Sequence, residues 1–353
     1  MAGLSVQSFA LALLIAVSAA CAAYAGSITT NDPPVATLAD GRTGTIAFEA
    51  LTPRNSRELV SGKAAEKSVI AGMLILPHSA NPAGATNAKV PAMVVVHGSS
   101  GVLQNDWEWA KRLNEMGIAT FVIDNFTGRG IVETATDRSR LSAMADAAGA
   151  LAALRLLATH PAIDPKRIGV IGFSRGGSVA IDSALEPIRR AVIDGDLRFA
   201  AHIAVYPGCS VTQLSAHLDG SPILMLLGGK DDYTPAPACL AHADVLRAKG
   251  ATVSVVVYPN AYHGFDSKAP PHFSPRRTTL RHCQGATDLD EGVFTMQKDG
   301  QTVTGADAAT EFKACAERGV TLGGDPEARE KAPRAVADFL KPIFALAQYR
   351  HFG

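Results

Sequence analysis

The chain has 353 residues, of which 47% are hydrophobic and 19% charged, with 33 basic residues against 33 acidic ones. That balance excludes a disordered chain, because a core can be buried, and a basic nucleic-acid binder, because no net charge is left to attract phosphates. A small or neutral partner fits better than a polyanion.

The first element is an apolar run from Leu11 to Ala20, followed by Ala23-Tyr24-Ala25, the small-x-small form of a signal-peptidase site. Residues 1–25 are therefore expected to be a secretory signal, although no Lys or Arg precedes the run. An uncleaved anchor or a lipid on Cys21 are the alternatives, and Ser18 is a poor residue three positions before a lipidated cysteine. No later stretch is long and apolar enough to span a bilayer, so no stable membrane span is expected once the signal is removed. Localisation is then periplasmic or secreted.

After a polar stretch over 26–42, short apolar runs alternate with helical patterns. Strands are predicted over Gly44–Ala50, Ser68–Leu76, Ala92–Val96, Ala119–Ile123, Ile168–Phe173, Ala200–Tyr206, Ile223–Leu227 and Thr252–Tyr258. Runs such as Met93-Val94-Val95-Val96 are apolar on both faces, as in a parallel sheet covered by helices on both sides. Leu141, Met144, Ala148, Leu151, Leu154 and Leu157 recur at steps of three or four and predict a helix facing that sheet. Asp164-Pro165 reads as the turn into the next strand. Val336, Phe339, Leu340 and Ile343 mark a last helix, which Pro333 and Pro342 should delay or kink.

The stretch from about 267 to 324 breaks the alternation. Val293–Met296 and Thr302–Thr304 around Asp299-Gly300 read as a hairpin, and Ala306 to Arg318 before Gly319 as a short helix with a glycine stop. We read an insertion before the C-terminal helix, within a single domain over 26–353. With the signal gone, Cys209, Cys239, Cys283 and Cys315 remain, an even number in a chain bound for an oxidising compartment. The local pairs Cys209 with Cys239 and Cys283 with Cys315 are favoured over connectivities that join distant segments. Buried free thiols are the alternative. No Cys and His cluster suggests a metal.

Chemistry concentrates at three strand ends. Gly172-Phe173-Ser174-Arg175-Gly176 has the G-x-S-x-G form, between a predicted strand and a helix, that puts a serine on a strained turn with its oxygen exposed. A serine hydroxyl needs a base to take its proton and a buried carboxylate to orient that base, in the chain order serine, acid, histidine. The strand Ile223–Leu227 runs into Gly228-Gly229-Lys230-Asp231-Asp232, where either acid qualifies; the next strand runs into His263. His160, His202, His217 and His242 read as structural, and His272 and His282 lie in the insertion. The oxyanion formed on attack would be met by the backbone N–H of Arg175 and, from the glycine-rich loop His97-Gly98-Ser99-Ser100-Gly101, that of Ser99.

Four segments together resemble the dienelactone hydrolase family of α/β-hydrolases: the His97–Gly101 loop; Gly172–Gly177; Gly229-Lys230-Asp231 with Thr234-Pro235; and Tyr258-Pro259 with His263-Gly264-Phe265. The resemblance covers most of residues 68 to 265 and the last helix. It selects Asp231 over Asp232 and implies an α/β fold: a mostly parallel eight-stranded sheet flanked by helices. It also implies cofactor-free hydrolysis of a small ester or lactone through Ser174, His263 and Asp231. Ser174 stands where members that open dienelactones carry a cysteine, and those members generally lack the signal and the long insertion, so dienelactone itself is not the expected substrate. Arg129, after the strand Ala119–Ile123, is a candidate partner for a substrate carboxylate. A serine peptidase of the prolyl oligopeptidase type and a non-catalytic binding module are the competing readings. The first usually has a propeller upstream, for which little chain precedes Gly44, and the second is opposed by the intact triad.

Overall fold

The structure, a computed structural model, describes residues 26–63, 66–78, 89–298, 301–304, 310–311 and 314–346. The expected signal over 1–25 and the turn at 299–300 lie outside the described residues.

All eight predicted strands join one sheet. They are β1 (Gly44–Leu51), β2 (Lys67–Ile75), β3 (Val90–Val96), β4 (Ala119–Asp124), β5 (Ile163–Phe173), β6 (His202–Val205), then β8 (Ile223–Gly228) and β9 (Val253–Tyr258), with β7 (Val211–Leu214) in a separate sheet. The order is β1-β2-β4-β3-β5-β6-β8-β9, antiparallel at β1-β2-β4 and parallel from β4 onward. This is the mixed sheet expected of an α/β-hydrolase. Parallel neighbours need crossovers, supplied by α1 (Gln104–Glu115), α2 (Ala143–Leu157), α3 (Arg175–Asp182) and α4 (Ala236–Ala248). The last helix among the described residues is α5 (Pro326–Phe344).

The pleat sorts the core into two layers. Met93 and Val95 pack with Trp109, Leu113, Val336 and Leu340 under α1 and α5. Ala92, Val94 and Val96 pack on the other face with Leu151, Leu154 and Val179 of α2 and α3. Ser142 begins α2 by accepting the Met144 N–H on its hydroxyl. Among the described residues no helix is long and apolar enough to cross a membrane.

Three expectations change. Asp164-Pro165 is not a turn before β5 but lies inside it, where the register with β3 slips between Val90/Ile163 and Ala92/Ile168. A bulge is where a strand tolerates a residue without an N–H. The helix α5 starts at Pro326, capped by Asp325, and runs through both Pro333 and Pro342, because Ala328, Ala332, Val336, Leu340 and Phe344 bury a continuous stripe. In the insertion, Glu317 and Arg318 belong to a strand rather than to the end of a helix, and 306–309 and 312–313 of that predicted helix lie outside the described residues.

The insertion itself holds β10 (His272–Thr279), β11 (Gln284–Asp288), β12 (Val293–Lys298), β13 (Gln301–Thr304) and β14 (Glu317–Leu322). The predicted hairpin is β12-β13, and it extends into a four-stranded sheet because β11 pairs with β12 on one side and, in parallel, with β7 on the other. The strand β10 pairs with β14, and disulfides join Cys283 to Cys315 and Cys209 to Cys239, the two favoured pairs.

Candidate active site

The tight turn at Ser174 follows from two glycines. A side-chain carbon at Gly172 would lie 1.9 Å from the Gly176 carbonyl oxygen, and one at Gly176 would lie 2.2 Å from the Val96 oxygen. Only bare backbone lets β5 turn into α3 this tightly, and Ser174 at the apex takes φ 55° and ψ −113°, a conformation that costs a residue with a Cβ of the order of 1–3 kcal/mol. Such strain persists where the surroundings fix it. The Ser174 amide donates to Val205 O at 2.9 Å, its carbonyl receives the Ser178 amide at 3.1 Å, and its side chain is directed to His263.

Ser174 Oγ lies 2.9 Å from His263 Nε2, and His263 Nδ1 lies 2.8 Å from Asp231 Oδ2. Asp231 is buried and fixed by its own turn, with Oδ1 accepting the amides of Tyr233 and Thr234 at 2.8 Å each. The Thr234 hydroxyl sits 2.9 Å from both Asp231 Oδ2 and His263 Nδ1. Asp232 points the other way, accepting the Thr321 amide at 2.7 Å and its hydroxyl at 3.0 Å from β14. The geometry therefore brings Ser174, His263 and Asp231 together and assigns Asp232 to anchoring the insertion.

The loop after β3 lies against the elbow, since a side chain at Gly98 would meet the Phe173 oxygen at 3.2 Å and Ser174 Cβ at 3.4 Å. His97 is buried and shapes this loop. Its Nε2 accepts the Asn125 amide at 3.1 Å, which leaves Nδ1 to carry the proton that it donates to Gly98 O at 2.7 Å. Ser99 O accepts the Thr134 amide at 2.8 Å. Among the described residues the amides of Ser99 and Arg175 donate to no protein acceptor, as a pair of oxyanion donors requires. The Arg175 side chain folds back onto α2, pairing with Asp146 and donating to Leu141 O at 2.6 Å.

Arg129 does not fit the carboxylate-binding role expected of it. Its guanidinium donates to Thr52 Oγ1 at 3.0 Å, Asn125 O at 2.7 Å and Leu51 O at 3.1 Å, strapping the turn after β4 to the end of β1. Burial pushes its pKa down. Among the histidines read as structural, His202 is buried with Nε2 3.0 Å from Asp219 Oδ2, and burial lowers His242 to about 4. His272 is on the exposed part of β10.

Sequence reasoning assigned no role to Thr234, although Thr234-Pro235 was part of the family motif. Nor does the sequence signal three groups near His263, which are Tyr206, Tyr233 and Asp266. The rings of Tyr206 and Tyr233 pack on the His263 imidazole with centroids 4.8 and 4.6 Å away. Asp266, three residues after His263, is buried among donors from α1.

Comparison with known proteins agrees with this architecture. A protein carrying the carboxymethylenebutenolidase name in Methylorubrum extorquens is 26% identical over 195 residues, 52% of this chain and 66% of that one. A protein of the same name in Yersinia pestis is 28% identical over 130 residues, 35% of this chain and 44% of that one, so the chain matches only part of each relative's length. Among solved structures, Thermogutta terrifontis esterase 2 phosphorylated by paraoxon superimposes with a TM-score of 0.52 at 15% identity, over 81% of this chain and 94% of that one, which shows the shared fold. The family model described as "Dienelactone hydrolase family" matches residues 79–344, and the chain belongs to that family.

Proposed function

We propose that the protein is an exported serine hydrolase that cleaves an ester or lactone bond in a small molecule. The observation that carries this reading is the unbroken relay from Ser174 Oγ to His263 Nε2 at 2.9 Å and from His263 Nδ1 to Asp231 Oδ2 at 2.8 Å, with the serine on a strained turn.

In this reading Ser174 Oγ attacks the carbonyl carbon as its proton passes to His263 Nε2. The imidazolium so formed keeps its Nδ1–H on Asp231 Oδ2, and the carbonyl oxygen, now an oxyanion, takes the N–H groups of Ser99 and Arg175. Collapse breaks the carbon–oxygen bond, and the departing alkoxide takes the proton from His263. In a lactone that alkoxide stays on the acyl chain. Water, deprotonated by His263, then attacks the acyl-enzyme and releases Ser174 and a carboxylic acid.

Export through a cleaved signal over 1–25 belongs to the same proposal, supported by two disulfides that would be unusual in a reducing cytosol. The mature enzyme would be one hydrolase domain over 26–353 that carries the 267–324 insertion. The test is hydrolysis of short-chain aryl esters by the mature protein and labelling of Ser174 by a fluorophosphonate. Ser174→Ala should abolish labelling and lower the rate by roughly four to six orders of magnitude. Equal rates in the two proteins would refute the triad.

A further inference from the structure

The strand β6 ends one residue before Tyr206, whose backbone φ is 40°, and among the described residues only Ser174 and Ala345 share a positive φ without being glycine. Ser174 and Tyr206 follow neighbouring strands at the same sheet edge. Strain of the order of 1–3 kcal/mol at a bulky residue is retained where several contacts over-determine it. Tyr206 has such contacts on every side.

Its amide donates to Leu226 O at 2.8 Å, joining it to β8. Its hydroxyl donates to Asp266 Oδ1 at 2.8 Å. Asp266 in turn accepts Trp109 Nε1 at 2.8 Å on Oδ2 and Asn105 Nδ2 at 3.2 Å on Oδ1, which ties the turn carrying His263 to α1. Beyond Tyr206 the chain runs Pro207-Gly208-Cys209, and the disulfide to Cys239 fastens it to α4, the helix that follows the Asp231 turn.

Held in this way, Tyr206 meets the triad twice. Its ring packs on the His263 imidazole at 4.8 Å with the planes 57° apart, and the Phe265 ring meets the Tyr206 ring edge-on at 5.0 Å. Its carbonyl lies 3.2 Å from the Thr234 hydroxyl, which sits beside the contact between Asp231 and His263. The imidazole must present Nε2 first to the Ser174 proton and then to the leaving oxygen without turning out of plane. A ring on its flank limits that turning.

We infer that Tyr206 is a positioning residue for His263, with Asp266 and the disulfide Cys209–Cys239 locking it, an inference that rests on the serine-hydrolase reading above. In this role it acts through the His263 imidazole rather than on the substrate. Its effect should therefore appear in kcat rather than in KM, because the orientation of the base matters to the transition state and hardly to ground-state binding.

The experiment compares the parent with Tyr206→Leu, Tyr206→Phe and Asp266→Asn, each titrated with a fluorophosphonate for active sites and melted for stability. A parent that neither reacts with the probe nor cleaves aryl esters refutes the serine-hydrolase reading itself, separately from the role of Tyr206. With an active parent, Tyr206→Leu should lower kcat by roughly tenfold to a hundredfold at a KM within about twofold, and Tyr206→Phe, which keeps the ring, should recover most of that loss. A folded Tyr206→Leu with kcat within about twofold of the parent, or with its loss confined to KM, overturns the inference. If Tyr206→Leu does not fold, Asp266→Asn decides: kcat within about twofold of the parent overturns the inference, and a larger fall in kcat at a KM within about twofold supports it.

Discussion

Asp231→Asn and Asp232→Asn make a matched pair of substitutions at neighbouring residues, and the structure gives them very different consequences. At Asp231 the oxygen Oδ1 accepts two amides, from Tyr233 and Thr234, both at 2.8 Å. An Asn there must leave its one oxygen facing those two donors, since the amide nitrogen would clash with them in hydrogen-bonding sense. The NH2 group then takes the place of Oδ2 and faces His263 Nδ1 at 2.8 Å, donor against donor. His263 relieves the conflict by moving its proton to Nε2, the nitrogen that should accept from Ser174 Oγ. The wrong tautomer costs roughly four orders of magnitude in kcat, or about 5.5 kcal/mol. Asp232→Asn keeps an oxygen for the Thr321 amide and meets the rotatable Thr321 hydroxyl with the other atom, so its cost is under about 1 kcal/mol. Steady-state hydrolysis of an aryl ester at neutral pH, corrected for active-site content, measures both. If Asp231→Asn retains activity within about tenfold, or Asp232→Asn loses more than Asp231→Asn, the assignment of the acid is refuted.

Other outcomes follow from single contacts. Gly176→Ala should destabilise the fold by more than about 3 kcal/mol in urea unfolding, because the added carbon meets the Val96 backbone oxygen at 2.2 Å; an unchanged midpoint would contradict the elbow geometry. A thiol count on unfolded, unreduced mature protein should be near zero, and the pair of substitutions Cys283→Ser with Cys315→Ser should cost about 3–4 kcal/mol for a cross-link spanning 32 residues; four reactive thiols would rule the bridges out. Asp182, on α3, is raised by burial from 3.8 to about 8, so the native chain keeps a proton that the unfolded chain sheds. Stability from this group is complete below about pH 4 and declines by up to about 1.4 kcal/mol per pH unit as pH rises toward 8, and Asp182→Asn should flatten a plot of unfolding free energy against pH in that window.

The parts of this fold that depend on local pattern were legible. Met93–Val96 reads as a buried strand because every side chain in it is apolar, and Leu151 and Leu154 read as a helix face because their spacing matches the helical period. Parts that exist only through partners distant in the chain were not. Val211–Leu214 is short and mixed in polarity and becomes a strand by pairing with Gly285–Asp288, a match no local window contains. Without the family resemblance, which selects Asp231, the local pattern leaves Asp231 and Asp232 equal, since both follow β8, and the physical distinction lies in the turn amides and Thr321. Arg129 looked free because a guanidinium after a strand carries no sign that carbonyls at Leu51 and Asn125 will occupy it. Tyr206 and Asp266 stand 60 residues apart, and neither type signals a role without the other.

The insertion was legible as an interruption, but its attachment points give it more meaning than its composition did. Arg277 donates to Ser100 Oγ at 3.0 Å in the loop that carries the proposed oxyanion amide of Ser99, and Thr279 donates to Tyr233 O at 2.8 Å in the turn that carries Asp231. Arg281 reaches Asp232 O at 2.9 Å, and the Gly323 amide donates to His263 O at 2.9 Å. Each loop that presents a reacting group at the carboxyl edge of the sheet, other than the elbow itself, is thus joined to the insertion by at least one hydrogen bond. A segment so joined cannot be remodelled without disturbing the triad's supports, and the Cys283–Cys315 bridge ties the stretch after the Thr279 and Arg281 anchors to the stretch before the Gly323 anchor. Changes in this protein's substrate preference should therefore be sought in β10 side chains that leave these anchors intact, and substitutions at the anchors should alter kcat along with preference.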